Sequence, residues 1–162
     1  MAVEELPTES MWSVLDRAMM SIVPDGARGR TYIAAEVSRI IGVRVSAPAL
    51  ISLDKLKDGP MRITELGAQV GASSPTITRQ VQDLERKGLV VRKADANDGR
   101  AAVISLSDKG ILAQQASAEV RIASLKEVLH DWPEDDVQLL APLLDKLTAS
   151  LARGRSVVDR LR

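Results

Sequence analysis

Along most of this chain, apolar residues return every three or four positions, the spacing that gives a helix one apolar face. The first such run holds Met11, Trp12, Val14, Leu15, Ala18, Met19, Ile22 and Val23, with Ser10 placed to cap it and residues 1–9 expected to fray. Pro24, Asp25 and Gly26 predict a break. After Arg28, Gly29 and Arg30 a second helix carries Tyr32, Ile33, Val37, Ile40 and Ile41 on one face and ends near Gly42. Ser46, Ala47 and Pro48 signal another start, because serine caps well and proline loses little in a first turn. Leu50, Leu53 and Leu56 follow, until Lys57, Asp58, Gly59 and Pro60 stop that helix. Met61 and Arg62 are placed to form a short strand against the hairpin that comes later.

From residue 62 to 106 the pattern changes period. Ile63, Leu66 and Val70 are the inward positions of a short helix, with Thr64 as its cap and Glu65 in its first turn, where a negative charge meets the positive end of the helix dipole. Gly71 supplies a tight turn. Ser73 or Ser74 caps a second helix that Pro75 opens, and Ile77, Val81 and Leu84 are its buried stripe. Gly88 fits the position just past its end. Leu89, Val90 and Val91 then begin a β-branched run, and Ala102, Val103, Ile104 and Leu106 form its return partner. Asp98-Gly99, within the turn-forming stretch 95–100, joins the two as a hairpin. Helical spacing resumes at Ser107-Asp108 and runs to about His130 through Ile111, Leu112, Ala116, Val120, Ile122, Ala123, Leu125, Val128 and Leu129. Pro133 restarts a last helix bearing Val137, Leu139, Leu140, Leu143, Leu144, Leu147 and Leu151, with a kink expected at Pro142. The fold class is therefore mainly α with a small β-hairpin, a helix-turn-helix followed by a wing.

Composition narrows the chemistry. The 162 residues carry 22 basic and 22 acidic side chains and no cysteine. Disulfides, cysteine–zinc sites and thiol redox sensing are excluded, and a cytoplasmic location is expected. Two Trp, one Tyr and no Phe argue against the aromatic stacking that grips RNA and single strands. No apolar run approaches the roughly 20 residues of a membrane span, and the acidic start MAVEELPTES reads as no targeting signal. Zero net charge means that duplex DNA, if bound, must meet charge sorted locally. Between residues 62 and 100 seven basic side chains oppose five acidic ones.

A helix that enters the major groove needs short polar side chains at its N-terminal end and at least one long donor. Ser73, Ser74, Thr76, Thr78, Arg79, Gln82 and Arg86 supply that surface on the face opposite the buried stripe. Arg79 has the geometry for guanine and Gln82 for adenine, and either can instead meet phosphate. On the hairpin, Arg92, Lys93 and Arg100 are candidate contacts to the minor groove or flanking backbone, and Asp98 can hold the Arg100 guanidinium in one direction. The plainer alternative is an amphipathic helix with a solvated face and an exposed Asp98–Arg100 pair worth roughly 0–1 kcal/mol.

The stretch ITELGAQVGASSPTITRQVQDLERKGLVVRKADANDGRAAVISLSDKG, residues 63–110, resembles the MarR (multiple-antibiotic-resistance regulator) family of winged helix-turn-helix transcription factors. The most specific part is Asp95-Ala96-Asn97-Asp98-Gly99-Arg100 followed by Ile104-Ser105-Leu106-Ser107-Asp108-Lys109-Gly110. The resemblance implies that Asp98 orients Arg100 into the minor groove and that residues 74–87 are the recognition helix. It also implies that the first and last two helices build a homodimer. The domains are then 1–44, N-terminal helices of the dimerisation region, 45–106, the DNA-binding lobe, and 107–162, the C-terminal dimerisation helices. Partners implied are a pseudo-palindromic operator in double-stranded DNA, a second copy of the chain, and a small-molecule effector that releases the DNA, typically as a repressor. The chain departs from this pattern in the break at Pro24–Gly29 and in its scarcity of aromatics.

Other chemistry is thinner. Ser52-Leu53-Asp54-Lys55 matches S-x-x-K without its companion motifs, and Ser52 and Lys55 read as the polar face of a helix. His130, the single histidine, suits a helix C-terminus, and Asp135 and Asp136 suit a first turn. No catalytic residue, metal ligand or cofactor is assigned. The competing reading is a helical dimer whose winged helix contacts protein and not DNA; an apolar exposed helix face would support it.

Overall fold

The computed structural model describes residues 11–94 and 102–158. In order they form α1 (Met11–Ile41), α2 (Ala47–Lys55) with a 3-10 turn at Leu56–Asp58, β1 (Met61–Arg62), α3 (Ile63–Val70), α4 (Ser74–Arg86), β2 (Val90–Ala94), β3 (Ala102–Leu106), α5 (Asp108–Val128) and α6 (Glu134–Val158). The chain divides into two compact units, residues 1–121 and 122–162, with the division falling inside α5.

The expected break at Pro24–Gly26 is absent, and one helix of 31 residues runs through it. Proline costs a helix interior about 3 kcal/mol and glycine about 1. Those costs are local, whereas each residue of helix on either side adds its own hydrogen bond. The C-terminal half of α1 is also held by the core, through buried Ala34 and Val37 with Ile33 and Ile41 packed beside them. After Ile41 the chain turns, and the Ser38 hydroxyl ties that turn back by accepting from the Val45 N–H (2.9 Å) and donating to the Ala34 carbonyl (2.6 Å). Ser46 caps α2 as expected, accepting from the Ala49 N–H at 3.3 Å.

The expected β1 strand forms. Met61 and Arg62 pair with Ile104 and Val103, so β3 lies between β1 and β2 in an antiparallel sheet. On its other edge β3 pairs with β2 from Val90↔Leu106 to Ala94↔Ala102. The helix that follows β1 starts earlier than expected. Thr64 does not cap it; the Glu65 carboxylate accepts from the Arg62 backbone N–H at 3.0 Å, so the helix begins at Ile63, directly out of the strand. Leu53, Leu56, Leu66, Ile77, Val81, Leu84, Leu89, Val90 and Ile104 close the core between α2, α3, α4 and the sheet.

The passage from the sheet into α5 is tightly built. The Ser107 N–H donates to the Leu89 carbonyl (3.1 Å), and the Ser107 hydroxyl donates to the Gly88 carbonyl (2.6 Å) while accepting from the Gly110 N–H (3.0 Å). Gly110 is buried there, and a Cβ on it would sit 1.9 Å from the Leu89 carbonyl oxygen. In the second unit, Pro142 lies inside α6 without ending it. The apolar positions of that helix stand in solvent in the single chain: Leu139, Leu143, Leu144, Leu147 and Leu151 are all exposed, as are Ile122, Leu125 and Val128 on the end of α5. No helix among the described residues is long and apolar enough to cross a membrane.

Candidate nucleic-acid interface

Two glycines shape the helix-turn-helix unit. Gly71, at φ 68 and ψ 29, takes the left-handed turn between α3 and α4 that residues with a Cβ rarely adopt. Gly67 lets the two helices cross closely, since a Cβ there would meet Ile77 Cγ2 at 3.1 Å. With Ile77, Val81 and Leu84 buried, Pro75, Arg79, Gln82 and Arg86 form the outward stripe of α4 at spacings of four, three and four. No large apolar side chain is exposed on this helix.

The first turn differs from expectation in one respect. Ser73 is the N-cap by position, yet its side chain makes no capping bond. Its hydroxyl lies 2.8 Å from the Thr76 hydroxyl instead. Among the described residues no side chain therefore caps the first-turn N–H groups of Ser74 and Thr76, which leaves the positive end of the helix open to an anion. Ser73, Ser74 and Thr76 are exposed, whereas Thr78 is half-buried and donates its hydroxyl proton to the Ser74 carbonyl at 2.8 Å.

The cations fall into two groups. Arg79 and Lys93 are exposed and have no acidic partner among the described residues, and the amide of Gln82 is likewise exposed. Arg86 is held by Asp83 at 3.0 Å, Lys87 meets the same carboxylate, and Arg92 lies 3.7 Å from Glu85. The acidic residues of α4 thus neutralise its C-terminal half and the base of β2, leaving uncompensated charge toward the N-terminal half. Exposed pairs of this kind contribute roughly 0–1 kcal/mol, so a phosphate oxygen can displace the carboxylate at small cost. Asp98 and Arg100, with the rest of residues 95–100, lie outside the described residues.

One polar contact of α4 escaped sequence reasoning. Ser52 is not on the polar face of α2: it is fully buried (0% exposed) and accepts a hydrogen bond from Gln80 Nε2 at 3.0 Å. The available signal was its place in the stripe Ala49, Ser52, Leu53, Leu56, where serine interrupts apolar residues. Lys55 is exposed, so Ser52 and Lys55 face apart and the S-x-x-K reading has no geometry behind it. His130 is exposed, with Nδ1 2.9 Å from the Glu127 carbonyl at the end of α5.

Beside this unit α1, α2 and α5 line an open pocket of about 290 Å³. Ile33, Leu50 and Ile51 form its apolar wall, and Arg30, Asp54 and Arg121 bring charge to it.

Residues 52–102, from the middle of α2 to the start of β3, match the model of the MarR family. That stretch is similar to the MarR family. The uncharacterized HTH-type transcriptional regulator YxaD of Bacillus subtilis is 27% identical over 89 residues, which is 55% of this chain and 62% of that relative. The chain thus spans less than two thirds of that relative's length. Among solved structures, a MarR family protein from Bacillus stearothermophilus is 23% identical and superposes with a TM-score of 0.74, covering 90% of this chain and 99% of that one. FabT of Streptococcus pneumoniae, solved in complex with DNA, is 18% identical with a TM-score of 0.67, covering 88% of this chain and 98% of that one. The stretch matched by the family model contains every candidate contact on α4 and β2, and also Asp98 and Arg100.

Proposed function

We propose that this chain is a homodimeric transcriptional regulator that binds double-stranded DNA at a pseudo-palindromic operator and acts as a repressor by occupying it. The observation that carries the reading is the outward face of α4. Among the described residues Arg79 and Gln82 stand on it without acidic partners, above a first turn whose N–H groups no side chain caps. That face has no large exposed apolar side chain, which speaks against a protein-contact role for the helix. The DNA-bound FabT structure supports the partner class.

In this reading Ser73, Ser74 and Thr76 let the backbone approach phosphate, while Arg79 and Gln82 reach base edges or phosphate. Thr78 lines the flank. Arg86, Arg92 and Lys93 meet the flanking backbone, and Asp98 steers Arg100 into the minor groove. Residues 45–106 are the DNA-binding lobe, and residues 1–44 and 107–162 build the dimer. The exposed leucines of α6 support a second copy as their cover, because stripes of this kind are otherwise left in water. Two copies would set recognition helices about 34–36 Å apart, one turn of duplex. The open pocket between α1, α2 and α5 is the effector site in this reading, suited to a small amphipathic acid by its apolar wall and by Arg30 and Arg121.

Selection of bound sequences from random duplex DNA tests the core of this proposal. Enrichment of an inverted repeat, with affinity that falls steeply as salt rises, is the expected result. Recovery of no common sequence would favour the protein-contact reading.

A further inference from the structure

The contacts that hold α4 in place are nearly all apolar. Ile77, Val81 and Leu84 tell the helix which face to bury, but the hydrophobic effect that drives their burial is non-directional. One contact is directional. Gln80, half-buried at the edge of the apolar stripe, donates from Nε2 to the hydroxyl of Ser52 at 3.0 Å, and Ser52 is completely buried on α2. Among the described residues this is the side-chain hydrogen bond that ties α4 to another helix. A hydrogen bond weakens steeply once distance or angle departs from its narrow range, so it restrains both the rotation of α4 about its axis and its slide along α2. Gln80 follows directly after Arg79 and lies two positions before Gln82, so any rotation that breaks its bond moves both outward donors with it.

The other end of the restraint is also anchored. Two positions past Ser52 on α2, Asp54 accepts from Gln114 Nε2 at 3.3 Å and lies 3.5 Å from Arg121 Nη2, both on α5. Arg121 Nη1 donates in turn to the buried Ser117 hydroxyl at 2.9 Å. Helix α2 therefore holds α4 through Ser52 and α5 through Asp54.

We propose that the buried Ser52–Gln80 hydrogen bond is a positioning contact that sets the orientation of α4 and thereby the base selectivity of Arg79 and Gln82. The proposal rests on the DNA-binding reading above and deepens it. Phosphate contacts tolerate small displacements because they act through charge, whereas bidentate base contacts do not. Loss of the bond lowers discrimination between operator and unrelated duplex while leaving non-specific affinity in place.

The test is a double-mutant cycle on the full-length protein with Ser52→Ala, Gln80→Leu and the pair combined. Affinities are measured at one salt concentration for the sequence enriched by selection and for a scrambled duplex, alongside thermal stability. Each single variant is expected to lower the specificity ratio by roughly tenfold, the scale of one good base contact. The double variant is expected to lower it no further, because both singles remove the same bond. The double variant replaces both polar groups with apolar ones, so it folds with a Tm within about 4 °C of the parent and keeps the test readable if a single variant is unstable. A ratio equal to the parent's in the double variant overturns the proposal and leaves DNA binding standing. Additive effects of the two singles overturn it as well, since they would act separately. A parent protein with no preference for any duplex overturns the DNA-binding reading itself, and this inference with it.

Discussion

The joint between the sheet and α5 makes Gly110→Ala the sharpest test of the packing described above. The added Cβ would lie 1.9 Å from the Leu89 carbonyl oxygen and 3.0 Å from its carbon. Carbon and carbonyl oxygen settle at about 3.3 Å or more, so the start of α5 must back away from the α4–β2 corner by more than an ångström. The neighbour is backbone and cannot rotate aside. A shift of that size breaks the bond from the Ser107 N–H to Leu89 and the one from the Ser107 hydroxyl to Gly88. Overpacking costs about 1–3 kcal/mol and each lost bond about 0.5–1.5 kcal/mol. Alanine returns at most about 1 kcal/mol through helix propensity, so the net loss is expected near 3 kcal/mol. Urea unfolding followed by circular dichroism, at matched protein concentration because a dimer's stability depends on it, measures the difference. Gly29→Ala is the control: that glycine is helical with nothing within 4 Å of its added Cβ, and the change should stabilise by about 0.5–1 kcal/mol. A Gly110→Ala protein within 1 kcal/mol of the parent would refute the argument that this helix start is set by backbone contact.

Other consequences concern the DNA and the second copy. Arg79→Ala should cost about 1–3 kcal/mol of operator affinity and change the selected sequence if Arg79 reads a base; a loss spread evenly over all duplexes makes it a phosphate contact. Arg100→Ala, argued from the wing motif alone, should weaken operator binding while leaving the unfolding midpoint unchanged, and unaltered affinity would remove Arg100 from the interface. Leu143→Asp combined with Leu147→Asp places charge on the exposed stripe of α6 and should convert a dimer to monomer in sedimentation equilibrium. An unchanged mass would put the second copy elsewhere.

The chain's own pattern announced most of the helix-turn-helix and its hairpin. Ile77, Val81 and Leu84 are the buried stripe of α4, Gly71 and Gly88 take the left-handed positions at φ 68 and 69, and the Val90–Ala94 and Ala102–Leu106 strands pair as their β-branched runs suggest. These features depend on nearest neighbours: periodicity, capping and turn stereochemistry act within a few residues, so a few residues suffice to read them. The misreadings have the opposite origin. Pro24–Gly26 carries a true local preference against helix, and α1 continues through it because hydrogen bonds on both sides outweigh a local cost. Thr64 looked like a cap, but the strand pairing of Met61 and Arg62 delivers the chain so that Glu65 caps Arg62 instead.

What the sequence by itself determined, then, is the order of elements from α2 onward, the inward faces of α3 and α4 and the polar surface of α4. Only the tertiary structure decided that Ser52 is buried and paired with Gln80, that Glu85 of α4 lies against Arg92 of β2, and that Gly110 must lack a side chain. Each of those facts is a distance between groups brought together by folding. Charge pairing, burial of a hydroxyl and steric exclusion all depend on separations of a few ångströms, and spacing along the chain does not encode them across elements.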